Sequence, residues 1–436
     1  MRDFKEMPVE VNDNRLVNLL KNIQSQFERV CFLNSNNYNH DNYSSFDWLL
    51  AFGLNSEFKS SDDDVFKNLK SYIDEVNDWI FGGFSYDLKN QIENLSSKNF
   101  CGYNLDLVHF FQPLGVIIFK NNNLYLGLLP GKGKWSNHKE VVDYIFENND
   151  KNEEQVKKQT INITPKVDKR TYLSNVKDIK KHIQEGNIYE VNYCIEFYDN
   201  KAEIDPLSIY LKLNEVSPAP FSAYFKIGDK YVISSSPERF LKKCEQKVIS
   251  QPIKGTIKRG SNLDDDINKK KELLNNSKER SENVMIVDLV RNDLSRTAKK
   301  GSVKVEELFG IYSFPQVHHM ISTITSTINE NCNYMDVIKS SFPMGSMTGA
   351  PKIKAMGIIE NFENSRRGVY SGSLGYITPE KDFDFNVVIR SIIYDKPSKF
   401  LSYMTGGAIT DESNPEDEYL ECLLKAKAMN KVLDEI

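Results

Sequence analysis

The chain reads as an α+β protein in two parts, residues 1–160 and 161–436, and three observations carry that reading. First, strand-like runs follow one another through tight turns, as in SAYFKIGDKYVISSSPERF with its Gly-Asp turn at 228–229. Second, long helical stretches lie between groups of such runs and do not alternate with them one by one, which argues against a regular βαβ repeat. Third, the stretch ENNDKNEEQVKKQ at 147–159 is almost wholly polar and reads as a surface linker.

Composition narrows the class. The 436 residues hold 56 Lys plus Arg against 61 Asp plus Glu, a net charge of −5 with no basic block, so nucleic acid is not an expected partner. No apolar run reaches the ~18 residues of a membrane span. The start, MRDFKEMPVEVND, lacks the apolar core of a signal peptide, so a cytoplasmic location is expected. Cys31, Cys101, Cys194, Cys244, Cys332 and Cys422 lie far apart, with none in a CxxC pair. That is the pattern of reduced thiols and not of a disulfide framework or zinc site.

In the first part, VHFFQPLGVIIFK (108–120) and NLYLGLLPG (123–131) read as strands. Gly82 and Gly83 in WIFGGFSYDL mark a turn or a close backbone approach. In the second part a helix ends near Gly186 and a strand follows. Residues 265–297 read as one long helix, with further helices at 335–340 and 351–363. GSLGYITPEKDFDFNVVIRSIIYD and KFLSYMTGGAITD read as strands. The last helix starts at Asn414 as N-cap and Pro415 as first residue, with Glu416 and Asp417 at the positive end of its dipole.

Several residues on these elements can carry chemistry. Glu418, Glu421 and Lys425 share one face of the last helix at i, i+3 and i+7, and Glu279 and Glu282 repeat the carboxylate spacing. Four carboxylates from two helix faces suit a hard cation such as Mg²⁺. On spacing alone, an ordinary surface Glu–Lys pair is the stronger reading. Lys254 lies in QPIKGTIKRG, where burial beside Lys258 and Arg259 can free an amine for nucleophilic attack, although most lysines are solvated. Glu238, sixteen residues earlier, can share its pocket as an acid if the two strands are adjacent. His319 is polar in a strand-like run, where a satisfied core histidine is the commoner case. FPMGSMTGAPK, with Ser346, precedes a helix start, and such starts bind anions. Arg390 is a charge inside an apolar strand, either paired with an internal acid or waiting for an anionic ligand. TGGA (405–408) adds backbone donors. Together these describe a pocket suited to a small substrate with two carboxylates.

As a set and in order, GNIYEVNY, SSSPERF, PIKGTIKRG, KERSENVMIVDLVRNDLSR, VHHMIST, PMGSMTGAPKIKAM, YSGSLGY, VVIRS and EDEYLECLLKAKA resemble the motifs of the chorismate-utilising enzymes. That family includes the anthranilate, aminodeoxychorismate, isochorismate and salicylate synthases. The resemblance covers roughly 185–430, and NYSSFDWL and FGGFSYDL resemble the N-terminal domain of the aminating members more loosely. It implies large antiparallel sheets packed as a central sandwich with helices outside, and an active site between the sheets. Anthranilate-forming members carry PIAGT. Lys254 in PIKGT resembles the aminodeoxychorismate-forming type, of the 4-aminobenzoate and folate branch.

The resemblance implies a role for each matching residue. Lys254 attacks ring carbon 2 of chorismate, Glu238 protonates the departing 4-hydroxyl, and ammonia takes carbon 4. His319 sits near the ring. Glu282 and Glu421 hold Mg²⁺, with Glu279 and Glu418 acting through water. Ser346, Tyr370, Arg390 and the Gly406–Gly407 backbone bind substrate carboxylates, and Lys425 lines the metal end. The chain has no cysteine in the setting of a glutaminase nucleophile, so a separate glutamine amidotransferase subunit is implied as ammonia source.

There are departures. Glu190 stands where aminating members have Gln and isomerising members a water-activating lysine. Ala408 replaces the third glycine of the turn, and Ser295 the glycine of the helix end. Anthranilate synthesis is disfavoured by Lys254, and isochorismate formation by Glu190. A silent regulatory subunit is disfavoured because no catalytic residue is missing.

Overall fold

Two large antiparallel sheets organise the computed structural model, which describes residues 2–60, 64–133, 137–146 and 161–435. The expected linker at 147–159 lies outside the described residues. One sheet has Arg29–Asn34, Phe221–Ile227, Lys230–Ser236, Ser391–Asp395, Phe400–Ile409 and Glu190–Asp199 as consecutive neighbours. The other runs from Ile253–Lys258 through Val317–Thr327, Lys247–Gln251, Arg239–Cys244, Phe383–Asn386 and Ser373–Ile377 to Ile80–Phe84 and beyond. Both sheets draw strands from either side of residue 160, since Arg29–Asn34 pairs with Phe221–Ile227 and Ile80–Phe84 with Ser373–Ile377.

The strand period of two sorts the core into layers. Cys31, Leu49, Ala51, Val232 and Met404 face the layer between the sheets, where Phe81, Phe84, Phe110 and Phe385 pack. Their neighbours Val30, Phe32, Leu50, Ile233 and Tyr403 face the opposite way, against Leu19, Tyr172, Leu207 and Met429 of the outer helices. The sandwich with helices outside is therefore present. With both faces buried, these strands read as continuous apolar runs.

Three local expectations are corrected. The run at 108–120 is two strands, Val108–Gln112 and Gly115–Lys120, in different sheets. Proline cannot donate to a ladder, and at Pro113 the chain crosses over. Buried Arg2 gathers the carbonyls of Pro113, Leu114 and Gly127 there while pairing with Asp78 at 2.7 Å. The helix expected at 265–297 is two, Leu263–Asn275 and Ser277–Ser295. Asn276 ends the first, and its side chain accepts from Glu279 N as N-cap of the second. Arg390 is not inside a strand but at a bend with φ 51° before Ser391–Asp395.

Gly82 and Gly83 are close approaches within a strand and not a turn. A Cβ on Gly83 would lie 2.1 Å from Ser373 O, and one on Gly82 2.0 Å from His109 O. Gly83→Ala is expected to lower unfolding stability by about 1–3 kcal/mol, as overpacking does, read as a fall in thermal midpoint.

Candidate active site

A cavity of about 1410 Å³ opens at the edge where the sheets meet. The fold brings Glu238, Lys254, His319, Ser346, Tyr370, Arg390, Gly406, Lys425, Glu279, Glu282, Glu418 and Glu421 to its lining. Gly407 stands behind it, where a Cβ would lie 3.3 Å from Glu418 and 3.4 Å from Glu421.

The placement follows from chain crossings. Glu238 lies on the link from Lys230–Ser236 to Arg239–Cys244, and Arg390 on the link from Phe383–Asn386 to Ser391–Asp395. Each link passes from one sheet to the other. Lys254 lies in an end strand whose pairing with Val317–Thr327 shifts register between Ile253 and Thr256. Gly255, at φ 96°, absorbs that bulge, and bulges of this kind re-aim side chains.

Lys254 is 7% exposed, and its Nζ donates to Glu190 Oε1 at 2.6 Å, joining the two sheets. Burial works against the ammonium form, but Glu190, with Glu282 and Glu421 nearby, outweighs it and raises the pKa. The amine freed by burial, as expected from sequence, is thus corrected: the lysine is held protonated. Glu238 and Lys254 share the cavity without lying on adjacent paired strands. Burial pushes the Glu238 carboxyl up to about 7, against the hydroxyl that Ser346 donates to its Oε1 at 2.6 Å. It can hold a proton at neutral pH.

His319 is pushed down to about 3 by burial, then by Arg390 and Lys425, so it is a neutral imidazole. Its Nδ1 lies 2.8 Å from Thr256 Oγ1. Tyr370 is buried with its hydroxyl 3.5 Å from Cys194 Sγ. No acidic side chain among the described residues pairs with Arg390, whose pKa burial lowers. A buried cation without an ion-pair partner on a cavity wall is a ready anion site.

At the acidic end, Lys278 lies 3.0 Å from Glu418 and 3.8 Å from Glu282, and Lys425 lies 2.5 Å from Glu421. Lys425 also donates to Gly406 O at 2.8 Å. Burial and the neighbouring Glu421 raise Glu279, and burial pushes Glu282 up to about 7. Among the described residues no three acidic, His or Cys side chains already stand as a metal cage. Sequence reasoning missed Lys278, although its place one residue before Glu279 and four before Glu282 was a visible signal. It noted Glu190 without its partner.

The six cysteines are free thiols. Among the described residues no helix is long and apolar enough to cross a membrane.

Comparison with known proteins agrees with this geometry. Over 270 residues, 61% of this chain, it is 40% identical to the probable chloroplastic aminodeoxychorismate synthase of Oryza sativa subsp. japonica, covering 30% of that protein. Over 400 residues it is 30% identical to anthranilate synthase component 1 of Saccharolobus solfataricus, covering 88% of this chain and 89% of the relative. The match spans only 29% to 57% of the length of the first four curated relatives. In fold it resembles the crystal structure of anthranilate synthase component I from Streptococcus pneumoniae TIGR4. The TM-score is 0.76 at 23% identity, covering 87% of this chain and 91% of that one. The model of the chorismate binding enzymes matches residues 19–431. With that match spanning both sheets and every residue of the cavity wall named above, the chain belongs to the family of chorismate binding enzymes.

Proposed function

We propose that the chain replaces the 4-hydroxyl of chorismate with ammonia, forming 4-amino-4-deoxychorismate with its enolpyruvyl group retained. The observation that carries this reading is Lys254 on its bulge, facing one cavity with the protonatable Glu238 and the buried Arg390, which has no ion-pair partner among the described residues. The aminodeoxychorismate synthases among the relatives support the subtype.

Arg390 binds a substrate carboxylate, assisted by Tyr370 and the Gly406 backbone. The Lys254 amine bonds to ring carbon 2, the two ring double bonds shift, and the carbon 4–oxygen bond breaks. Glu238 gives its proton to the departing hydroxyl, which leaves as water. Ammonia then bonds to carbon 4, the double bonds shift back, and Lys254 leaves. Glu238 takes up the proton that ammonia sheds, so the acid is regenerated. Neutral His319 packs beside the ring without competing for either proton.

The donor chemistry of Glu279, Glu282, Glu418 and Glu421 fits Mg²⁺, which takes hard oxygen ligands. Burial first, and then neighbouring carboxylates, raise Glu279 and Glu282 despite the lysines Lys278, Lys425 and Lys254 nearby, and a further cation there would offset both. Bound there, Mg²⁺ would neutralise the ring carboxylate. Ammonia would come from a separate glutamine amidotransferase subunit.

The purified chain with chorismate, Mg²⁺ and ammonium salt, and no glutaminase, is expected to release 4-amino-4-deoxychorismate, identified by mass and NMR. Removing Mg²⁺ with a chelator is expected to stop turnover. Anthranilate or isochorismate as the product would sink the proposed subtype.

A further inference from the structure

A protonated lysine has no lone pair, so an attack by Lys254 requires a proton acceptor. The cavity wall offers few. Glu238 already accepts the Ser346 hydroxyl and is the acid for the hydroxyl that leaves. Glu282 and Glu421 lie beyond ion-pair distance of Lys254 and have Lys278 and Lys425 as partners. His319, beside Arg390 and Lys425, is a poor base. Among the described residues, Glu190, which stands behind the cavity lining, is the one carboxylate within ion-pair distance of the amine, Oε1 to Nζ at 2.6 Å.

Glu190 is also built for uptake. It is 1% exposed, and its second oxygen, Oε2, is buried with no hydrogen-bond partner among the described residues. That oxygen keeps its lone pairs free as acceptors beside the ion pair. Its place is fixed from both sheets: Glu190 pairs with Ala350 in one, while the bulge at Gly255 holds Lys254 in the other.

We propose that Glu190 is the catalytic base for Lys254, taking its ammonium proton as the amine bonds to ring carbon 2 and returning it when the lysine leaves. This rests on the amination reading above. In the first half, one proton passes from Nζ to Glu190 Oε1 while the nitrogen pair forms the bond to carbon 2 and a hydroxide equivalent leaves carbon 4, protonated by Glu238. In the second half, the carbon 2–nitrogen bond breaks toward nitrogen, and the free amine takes its proton back from Glu190. Each cycle consumes chorismate and ammonia, releases water and product, and leaves both carboxyl groups and the lysine as they began.

Glu190→Gln is the direct test, because the amide still accepts from Lys254 but cannot carry the proton. The expected result is a fall in kcat of about 100-fold or more, as for loss of a general base. KM for chorismate should stay within a few-fold, and adduct formation on Lys254 without ammonia should slow equally. Glu190→Asp keeps the charge but withdraws the oxygen. A base role predicts a kcat between those of wild type and the Gln variant, and wild-type kcat in the Asp variant counts against it. A Gln variant as fast as wild type, or faster, overturns the proposal and leaves Glu190 as a charge that only holds the lysine protonated. The wild-type chain assayed in parallel separates the failures: no amination there counts against the proposed function, and amination equal in both counts against Glu190 alone.

Discussion

Lys254→Ala is expected to lower ammonia-dependent amination at least about 1,000-fold, the scale on which a covalent nucleophile contributes. Arg390, Tyr370 and the acidic end are left intact, so chorismate and Mg²⁺ should still bind, measured by calorimetry. The variant carries a second signature. Removing Lys254 strands Glu190 as a buried carboxylate without its partner at 2.6 Å. Breaking a buried pair on one side costs about 3–5 kcal/mol. The loss should therefore show as a lower thermal midpoint at neutral pH, and Glu190→Gln in the same chain should recover part of it. Unchanged turnover in Lys254→Ala would remove the covalent step.

The second large effect concerns Glu238, which in the proposed reaction acts only while it holds a proton. Burial raises it from an ordinary 4.5 to about 7. Its protonated fraction, and with it kcat/KM, should fall about tenfold per pH unit above that value. Glu238→Gln should lose about 100- to 10,000-fold in kcat and lose this alkaline limb. His319, near 3, contributes no limb in the neutral range. The same shift sets a stability change with a definite sign. A raised folded-state pKa contributes stability that is full below 4.5 and lost as pH rises through about 7. Above that, the ionised buried carboxylate costs about 3 kcal/mol relative to its protonated form. Glu238→Gln should therefore melt higher than wild type at pH 8 and not at pH 4, a trade of activity for stability.

Much of the site was legible because its residues lie on regular elements. The carboxylate pairs at 279/282 and 418/421 follow helix periodicity, and both pairs do face one cavity. The N-cap at Asn414 is present as its residue type foretells. What stayed hidden depends on contacts remote in sequence or on single dihedrals. Lys254 and Glu190 are 64 residues apart and in different sheets, so neither local pattern reveals that the amine is charged. Arg390 sits in an apolar run that reads as one strand, and only its left-handed bend separates it from the ladder. The apolar run at 108–120 likewise conceals a change of sheet at Pro113. Strand pairing across residue 160 is set by packing between the sheets, to which hydrophobic period is blind.

The most direct measurement is the intact mass of the chain incubated with chorismate and Mg²⁺ in the strict absence of ammonia, followed by peptide mapping. The expected result is a gain equal to chorismate less one water, located on Lys254, and its discharge to 4-amino-4-deoxychorismate when ammonium is added. A chain that aminates chorismate while never carrying such an adduct, or that carries it on another residue, would contradict it.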